Sequence, residues 1–213
     1  MPADFQRHPM FARMWKRMTA KGETDEAVAH RTEMLSGLAG EVVEVGAGNG
    51  LNFGHYPASV TRLVAVEPEP ILREVAQEAA EKAPVEVEVV DGVAERVPGD
   101  DDSFDAGVAC LMLCTVDAAP ALAELRRVIK PGGELRFYEH VVSESSRVAG
   151  FQGVADPLWT RMAGGCHLTR DTAMAIERAG FEIESCRRFS FSPMPGPLGL
   201  PHILGRARLP ARA

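Results

Sequence analysis

The chain has 213 residues, of which 46% are hydrophobic and 25% are charged, and its formal net charge is −7. This length and composition are typical of one globular domain and exclude a disordered chain, a collagen and a coiled coil. The acidic balance argues against a general nucleic-acid-binding protein, which needs a basic surface for the phosphates, so no nucleic-acid partner is expected.

The N-terminus and the cysteines bear on where the protein works. Residues 1–20 contain no long apolar run, so neither secretion nor a membrane-spanning segment is expected. The four cysteines (Cys110, Cys114, Cys166, Cys186) form no Cys-x-x-Cys pair, and the first two have no histidine at metal-binding spacing. We therefore expect reduced thiols, a cytoplasmic location and no metal site.

Residues 1–40 are predicted to form an N-terminal helical cap, with Gly22 and Gly37 interrupting the helices. The first helical pattern predicts a helix packed over the core; the alternatives are an active-site lid and a helix on a membrane surface. Its apolar face comprises Met10, Phe11, Met14, Trp15 and Met18.

Residues 41–213 alternate short apolar runs with helical patterns, which predicts an α/β fold. A mostly parallel, doubly wound sheet with helices on both faces is expected. Segment Lys130–Gly133 (Lys-Pro-Gly-Gly) is expected to end one helix, and residues 192–201, rich in Pro and Gly, are expected to form a loop. The predicted strands are 42–45, 63–66, 85–90, 104–110, 135–142, 181–184 and 202–208, and the predicted helices are 71–79, 117–129 and 169–179.

The sharpest signal is Glu44–Gly50, which reads Glu-Val-Gly-Ala-Gly-Asn-Gly and follows the first predicted strand of the sheet. Glycines let the backbone turn tightly and approach a ligand, and free N–H groups there can receive an anion. A dinucleotide fingerprint would place its last glycine at position 51, which is Leu51, and the lysine of a P-loop is absent. Glu67 ends the second strand of the sheet, where an acid can accept the ribose hydroxyls of a nucleotide.

These features resemble the class I S-adenosylmethionine-dependent methyltransferases. The glycine segment is similar to their motif I, residues 92–98 resemble the stretch beside the adenine, and residues 125–133 resemble the turn before the fifth strand. The resemblance implies a Rossmann-like, seven-stranded methyltransferase domain at 41–213, with S-adenosylmethionine as the cofactor. It also implies a set of cofactor-binding residues: Glu44, Gly46, Ala47, Gly48, Gly50, Asn52, Glu67, Pro68, Gly92, Val93, Ala94, Cys110 and Leu111.

Blocks in the C-terminal half narrow the resemblance to the animal alkyl-thiol S-methyltransferases and their bacterial relatives. These blocks are 138–141 (Tyr-Glu-His-Val), 156–159 (Asp-Pro-Leu-Trp), 165–170 and 201–205. The resemblance implies methyl transfer to a small molecule, a thiol, by in-line displacement that yields S-adenosylhomocysteine. Two departures leave the acceptor open: residues 1–40 do not carry the hydrophobic anchor of the animal proteins, and His167 stands where Asn is expected from the family.

Three histidines are candidates for the base that takes the proton of the thiol. His140 is preferred because it lies at the carboxyl end of the fifth strand of the sheet, which is the ligand edge. His167 comes second and His202 third. Cys166 is expected to be a packing residue, since direct transfer needs no covalent intermediate. Three aromatic residues either line an apolar pocket or pack in the core: Trp159, Tyr56 and Phe191.

Other functions remain open on the sequence alone. Within the class, the alternative is a quinol or phenol C- or O-methyltransferase. Outside it, the alternatives are a nicotinamide oxidoreductase, which the residue at position 51 disfavours, and a cofactor-binding sensor without activity. The oligomeric state is left open.

Overall fold

Seven strands form one central sheet, and the computed structural model describes residues 8–192 and 199–212. The strands are β1 (Gly40–Val45), β2 (Val60–Val66), β3 (Val87–Val90), β4 (Phe104–Cys110), β5 (Ile129–His140), β6 (Glu182–Phe191) and β7 (Leu200–Arg208). The helices are α1 (Pro9–Thr19), α2 (Asp25–Leu35), α3 (Pro70–Ala80), α4 (Ala118–Val128), α5 (Ser146–Met162) and α6 (Thr172–Arg178), with a short 3-10 helix at Phe53–His55.

The strand order is β3-β2-β1-β4-β5-β7-β6. The first five strands in this order are parallel, and β7 runs antiparallel to both of its neighbours. The order reverses between β1 and β4, and in an open α/β sheet such a switch point opens a crevice at the carboxyl ends of the strands. The predicted doubly wound, mostly parallel α/β fold is confirmed.

The central strands are buried on both faces, as in a parallel sheet covered by two helix layers. Val43 and Val45 of β1 pack in the core that includes Leu122 of α4, while Val42 packs in the core that includes Leu35 of α2. Successive side chains of a strand point to opposite faces, so the valine run supplies both cores at once.

Several predicted boundaries are corrected by the sheet register. Ile129 already pairs with Phe104 of β4, and the next pairing joins Ala106 to Glu134, so Lys130–Gly133 bulges out inside β5. Gly132 makes this bulge possible with a φ of +82°. The end of α4 is therefore predicted correctly. The strand β5 begins at Ile129, six residues before its predicted start at 135.

At the C-terminal edge, the predicted strand at 181–184 is too short, because β6 continues to Phe191 while it pairs with β7. The loop predicted at 192–201 is wrong at Leu200 and Pro201, which open β7. Its residues 193–198 lie outside the described part of the chain. The strand predicted at 202–208 is confirmed. Every other predicted helix or strand limit lies within three residues of the observed one. For example, the strand predicted at 85–90 is β3, Val87–Val90, and the helix predicted at 169–179 is α6, Thr172–Arg178.

Helix α5 is missing from the sequence-based prediction. It contains Pro157 and two glycines, Gly150 and Gly153, which disfavour a helix on propensity. Its apolar side chains also face outward: Phe151 and Val154 are 67% and 83% exposed. No buried stripe was therefore present to mark it as a helix.

The N-terminal helices α1 and α2 form as predicted, and glycines with positive φ, Gly22 and Gly37, follow them. The predicted apolar face of α1 packs only in part, since its buried residue is Ala12 while Met10 and Met14 are 82% and 44% exposed. Within residues 8–192 and 199–212, none of the helices has the length and apolar character required to cross a membrane.

Candidate cofactor and acceptor site

The glycine loop turns directly after β1. The N–H groups of Gly46 and Ala47 donate to the carbonyl oxygen of Val66 at 2.9 and 3.1 Å, which fixes the loop against the end of β2. Gly48 has a φ of +59°, and no atom of the described residues lies within 4 Å of the place where a Cβ would sit. The backbone therefore presents an open surface that only glycine adopts without strain.

Glu67 lies beside this open surface at the end of β2 and is 5% exposed. Its carboxylate accepts hydrogen bonds from the backbone N–H groups of Gly48, at 2.7 Å, and Glu69, at 2.8 Å. Burial raises the pKa of Glu67 to about 6, and the two N–H donors limit that rise. Each oxygen keeps lone pairs for further donors, as a group that binds two hydroxyls needs.

Glu44 lies under the loop and is engaged on both oxygens. Asn52 donates to one at 2.6 Å, and the hydroxyl of Tyr56 donates to the other at 2.8 Å. Burial raises the pKa of Glu44 to about 7. The predicted contacts of Glu44 and Asn52 with a cofactor stay predictions; the structure shows them bonded to each other. Tyr56 belongs to this network and does not line an apolar pocket.

Arg31 of α2 is the functional candidate that sequence reasoning missed. Its Nη1 donates to Asn52 at 2.7 Å and contacts the sulfur of Cys110 at 3.3 Å, and its Nε lies 2.9 Å from a carboxylate oxygen of Glu23. The side chain is 8% exposed, so a paired cation is buried next to the glycine loop. A signal was available: Arg31 shares the buried face of α2 with Ala27 and Leu35, where a charge is unexpected.

The other predicted cofactor residues lie at the same edge of the sheet. Pro68 follows β2, and the segment Gly92–Ala94 follows β3 and packs against β2 through Gly92 and Val66. Leu111 follows β4 with an unusual φ of +55°, and its N–H donates to the carbonyl oxygen of Tyr138 at 2.7 Å. The structure thus brings these predicted residues to one edge, next to Gly46 and Glu67.

The acceptor side begins with Glu139, which is fully buried in β5. Its carboxylate accepts three backbone N–H groups, from Met112 at 3.0 Å, Leu113 at 2.9 Å and Cys114 at 3.1 Å. Burial raises the pKa of Glu139 to about 7 against these donors. Glu139 therefore fastens the loop after β4 to the carboxyl end of β5.

Cys114, His140 and Cys166 meet at this edge, and we name them the Cys-His-Cys cluster. The Sγ of Cys166 lies 3.1 Å from Nδ1 of His140 and 3.5 Å from Sγ of Cys114. The hydrogen bond shared with Cys114 and the contact with His140 lower the pKa of the Cys166 thiol, whereas the pKa of Cys114 is raised. All four cysteines of the chain are free, and Cys186 is exposed.

The other two predicted histidines lie on either side of the cluster. Nδ1 of His167 is 2.8 Å from Asp156, which also accepts the N–H of Leu168, so His167 belongs to a pair that shapes the loop after α5. His202 is 1% exposed, its Nδ1 lies 2.7 Å from the carbonyl oxygen of Leu200, and its ring centroid is 4.3 Å from that of His140. Burial lowers the pKa of His202 to about 3.

Aromatic rings surround the cluster. The centroid of Trp159 is 6.5 Å from that of His140, and Phe189 and Phe191 pack on His202. Within the described residues, the buried Nδ1 of His30 and the buried hydroxyl of Tyr138 have no hydrogen-bond partner. A groove of about 430 Å³ adjoins this group and is lined by residues that include Val148, Phe189, Pro201 and His202.

Helix α1 touches both sides of the site. The hydroxyl of Thr19 accepts a hydrogen bond of 2.7 Å from the side chain of Asn49 in the glycine loop. Near the other end of α1, the ring of Phe11 fills the space where Gly164 would carry a Cβ, two residues before Cys166. Helix α1 therefore bridges the glycine loop and the loop of the Cys-His-Cys cluster.

Comparison with known proteins identifies the class. Residues 43–137 match the methyltransferase domain family. The chain is 34% identical over 206 residues to thiol S-methyltransferase TMT1B of Rattus norvegicus, covering 92% of this chain and 81% of that protein. It is 37% identical over 185 residues to TMT1B of Homo sapiens, covering 81% and 73%. The chain belongs to the thiol S-methyltransferase family.

The fold of this family member is shared with solved structures of much lower identity. The YcgJ protein of Bacillus subtilis matches with a TM-score of 0.70 at 15% identity, over 89% of this chain and 100% of that one. The matched domain and the family membership, and not this shared fold, make the protein an S-adenosylmethionine-dependent methyltransferase. The predicted class and cofactor are confirmed, and the nicotinamide oxidoreductase is set aside.

The residues of this methyltransferase fit S-adenosylmethionine. The open space at Gly48 admits a ligand against the backbone, and the buried carboxylate of Glu67 suits a pair of hydroxyl donors. The buried guanidinium of Arg31 suits the carboxylate of the methionine part. An open backbone surface, a hydrogen-bond-accepting carboxylate and a buried guanidinium therefore lie together at the switch point of the sheet.

Proposed function

We propose that the protein transfers a methyl group to the sulfur of a small thiol. The observation that carries this proposal is the extent of the similarity to the thiol S-methyltransferases. It covers 92% of the chain and so runs past the matched domain, residues 43–137, into the segments that carry His140 and Cys166. The acceptor side, and not only the common cofactor side, is similar to proteins named for thiol acceptors.

On the cofactor side, we propose that Glu67 accepts the ribose hydroxyls, that the backbone at Gly48 supports the methionine part, and that Arg31 pairs with its carboxylate. The remaining predicted residues at this edge line the same site. When bound, S-adenosylmethionine supplies a methyl group on a positively charged sulfur, so the chain need only bind, align and exclude water.

On the acceptor side, a thiol reacts mainly as its thiolate, and a free thiol has a pKa of about 8.5. Deprotonation is therefore the step that the protein assists. We propose that His140 belongs to the machinery that removes this proton, because it lies against a thiol of low pKa at the end of β5. The apolar part of the acceptor occupies the groove beside Phe189 and His202.

We assign His167 a positioning role in place of the predicted catalytic one, because its Nδ1 is held by Asp156. We also propose that residues 1–40 act as a cap over the site, which the contacts of Thr19 and Phe11 support. A cytoplasmic location is supported by Cys114 and Cys166, whose free sulfurs at 3.5 Å suit a reducing compartment.

A product screen tests the acceptor. The protein is incubated with methyl-labelled S-adenosylmethionine and a panel of alkyl thiols, phenols and quinols, and labelled products are identified by mass spectrometry. We expect labelled thioethers from the thiols. The matched control is the alcohol analogue of the best thiol, which should give no product. A labelled ether or ring carbon as the main product would reject the thiol acceptor and keep the methyltransferase.

A further inference from the structure

The Cys-His-Cys cluster has the spacing of a metal site. The Sγ–Sγ distance is 3.5 Å, the Nδ1–Sγ distance is 3.1 Å, and the three ligand atoms lie within 4.8 Å of one another. In a tetrahedral zinc site, with bonds of about 2.3 Å to sulfur and about 2.0 Å to nitrogen, ligand atoms lie roughly 3.5–3.8 Å apart. The two shorter distances are a few tenths of an ångström below these values, so a small movement of the side chains brings them to zinc spacing.

The donor set also selects the kind of metal. Two sulfurs and an imidazole suit zinc, whereas magnesium and calcium prefer oxygen ligands. Glu139, which precedes His140 in β5, is occupied by three backbone N–H groups and adds no ligand. Three protein ligands with a free fourth position are typical of catalytic zinc sites, while structural sites have four.

The three ligands are held before any metal arrives. Cys114 is fixed by Glu139, and its carbonyl oxygen accepts the N–H of His167 at 2.8 Å. The N–H of Cys166 in turn donates to the carbonyl oxygen of Ala163 at 3.1 Å. Backbone hydrogen bonds therefore join the loop after β4 to the loop after α5, and the sulfurs face each other without a disulfide.

We propose that Cys114, His140 and Cys166 bind a zinc ion whose open fourth position takes the sulfur of the acceptor thiol. The identity of the acceptor rests on the proposed function. Met112, two residues before Cys114, touches Gly46 of the cofactor loop, so this open position lies on the acceptor side of the cofactor site.

The chemistry balances without a further reagent. The acceptor thiol loses its proton to solvent as its sulfur binds zinc. An electron pair on that sulfur then forms a bond to the methyl carbon, and the bond from this carbon to the sulfonium sulfur breaks with its electron pair staying on the sulfonium sulfur. The thioether product is a neutral, weaker ligand than a thiolate and leaves. In this scheme the zinc ion lowers the pKa of the acceptor thiol, and His140 assists deprotonation by holding the ion.

Metal content is the first test. The protein is purified without chelators and without a metal-affinity column, and zinc per chain is measured by mass spectrometry and by competition with a chelator. We expect about one zinc per chain. Cys114→Ser and Cys166→Ser should weaken zinc binding more than about 100-fold, because even partners outside the ligand shell account for 10- to 100-fold. Cys186→Ser, at an exposed cysteine, is the matched control and should bind zinc normally.

Cobalt replacement tests the open position. We expect the cobalt protein to show the sulfur charge-transfer and visible bands of a tetrahedral thiolate site, and an alkyl thiol, but not its alcohol analogue, should shift these bands. Binding of S-adenosylhomocysteine shows that each serine variant is folded. Zinc affinity equal in wild-type protein and in Cys166→Ser would overturn the site. Cobalt absorption bands that do not shift when a thiol is added would overturn the acceptor position.

The two proposals fail in different ways. Labelled thioether formed by zinc-free protein would overturn the zinc site and leave the proposed function intact. A zinc site that responds to thiols, in a protein that methylates only phenols or quinols, would overturn the proposed acceptor and leave the metal site.

Discussion

The glycine loop and Glu67 of the cofactor side come from nearly continuous chain between β1 and α3, with Arg31 of α2 and the segments after β3 and β4 beside them, whereas the acceptor side is assembled from the loop after β4, the end of β5 and the loop after α5. Each side has its own buried acid. Glu44 is held by two side chains, Asn52 and Tyr56, and Glu139 by three backbone N–H groups. Cofactor binding and methyl transfer therefore depend on separate hydrogen-bond networks. Substitutions in one network should leave the function of the other unchanged.

The largest expected effect is on the acceptor side. His140→Ala should slow turnover at least about 100-fold, the lower range for loss of a proton-handling group, while the affinity for S-adenosylhomocysteine stays at the wild-type value. Steady-state kinetics and calorimetry measure the two. The matched control is His167→Asn, which can still donate to Asp156 and should keep most of the turnover. Equal turnover in His140→Ala and wild type would contradict the role of His140.

Glu67→Ala should produce the opposite pattern. Hydrogen bonds to a charged acceptor contribute about 1.5–3 kcal/mol each, so loss of two should weaken cofactor affinity at least about 100-fold. Calorimetric titration with S-adenosylhomocysteine measures this, and Glu67→Gln, which keeps the shape, should lose less. Wild-type affinity in Glu67→Ala would remove Glu67 from the cofactor site.

The same contrast explains what the sequence predicts and what it does not. The glycine loop and Glu67 were predictable because local chemistry, a turn after a buried strand, determines their place. The Cys-His-Cys cluster was not, since Cys114 and Cys166 are separated by 52 positions and no local spacing joins them. From local spacing the sequence names His140 and predicts no metal site, and the zinc site remains a proposal. The bulge at Lys130–Gly133 was likewise missed, because pairing with β4 and β7 overrides the turn chemistry.

Glu44→Gln tests the support under the cofactor loop through pH. The pKa of Glu44 is raised to about 7 in the folded protein from an ordinary value of 4.5, so the folded state holds the proton more tightly. Stability from this group is present below pH 4.5 and is lost as pH rises through 7, by up to about 3 kcal/mol. Urea unfolding at pH 5 and pH 8 should show a smaller loss in Glu44→Gln than in wild type. Equal losses in the two proteins would contradict the raised pKa.

Glu139→Gln tests the corresponding support on the acceptor side. A glutamine keeps one oxygen but turns an N–H₂ group toward at least one of the three backbone donors, which loosens the loop of Cys114. Turnover should fall about 10-fold, the lower end for loss of an orienting partner, with cofactor affinity kept. Glu44→Gln is the comparison variant and should affect cofactor affinity more than the maximal rate. A loss of cofactor affinity without a loss of rate in Glu139→Gln would show that Glu139 supports the cofactor side and would contradict its assignment to the acceptor side.

The smallest expected effect is at the helix that spans both sides. Thr19→Ala removes the hydroxyl that accepts from Asn49, and a hydrogen bond of this kind contributes about 0.5–1.5 kcal/mol, so cofactor affinity should fall roughly 2- to 10-fold. Thr19→Ser keeps the hydroxyl and should bind normally, which separates the hydrogen bond from helix packing. Phe11→Ala, at the other end of α1, should instead raise the KM for the acceptor, because Phe11 packs against Gly164 beside the Cys-His-Cys cluster. If both variants changed the same constant, α1 would act as one rigid cover and not as a bridge between two separate supports.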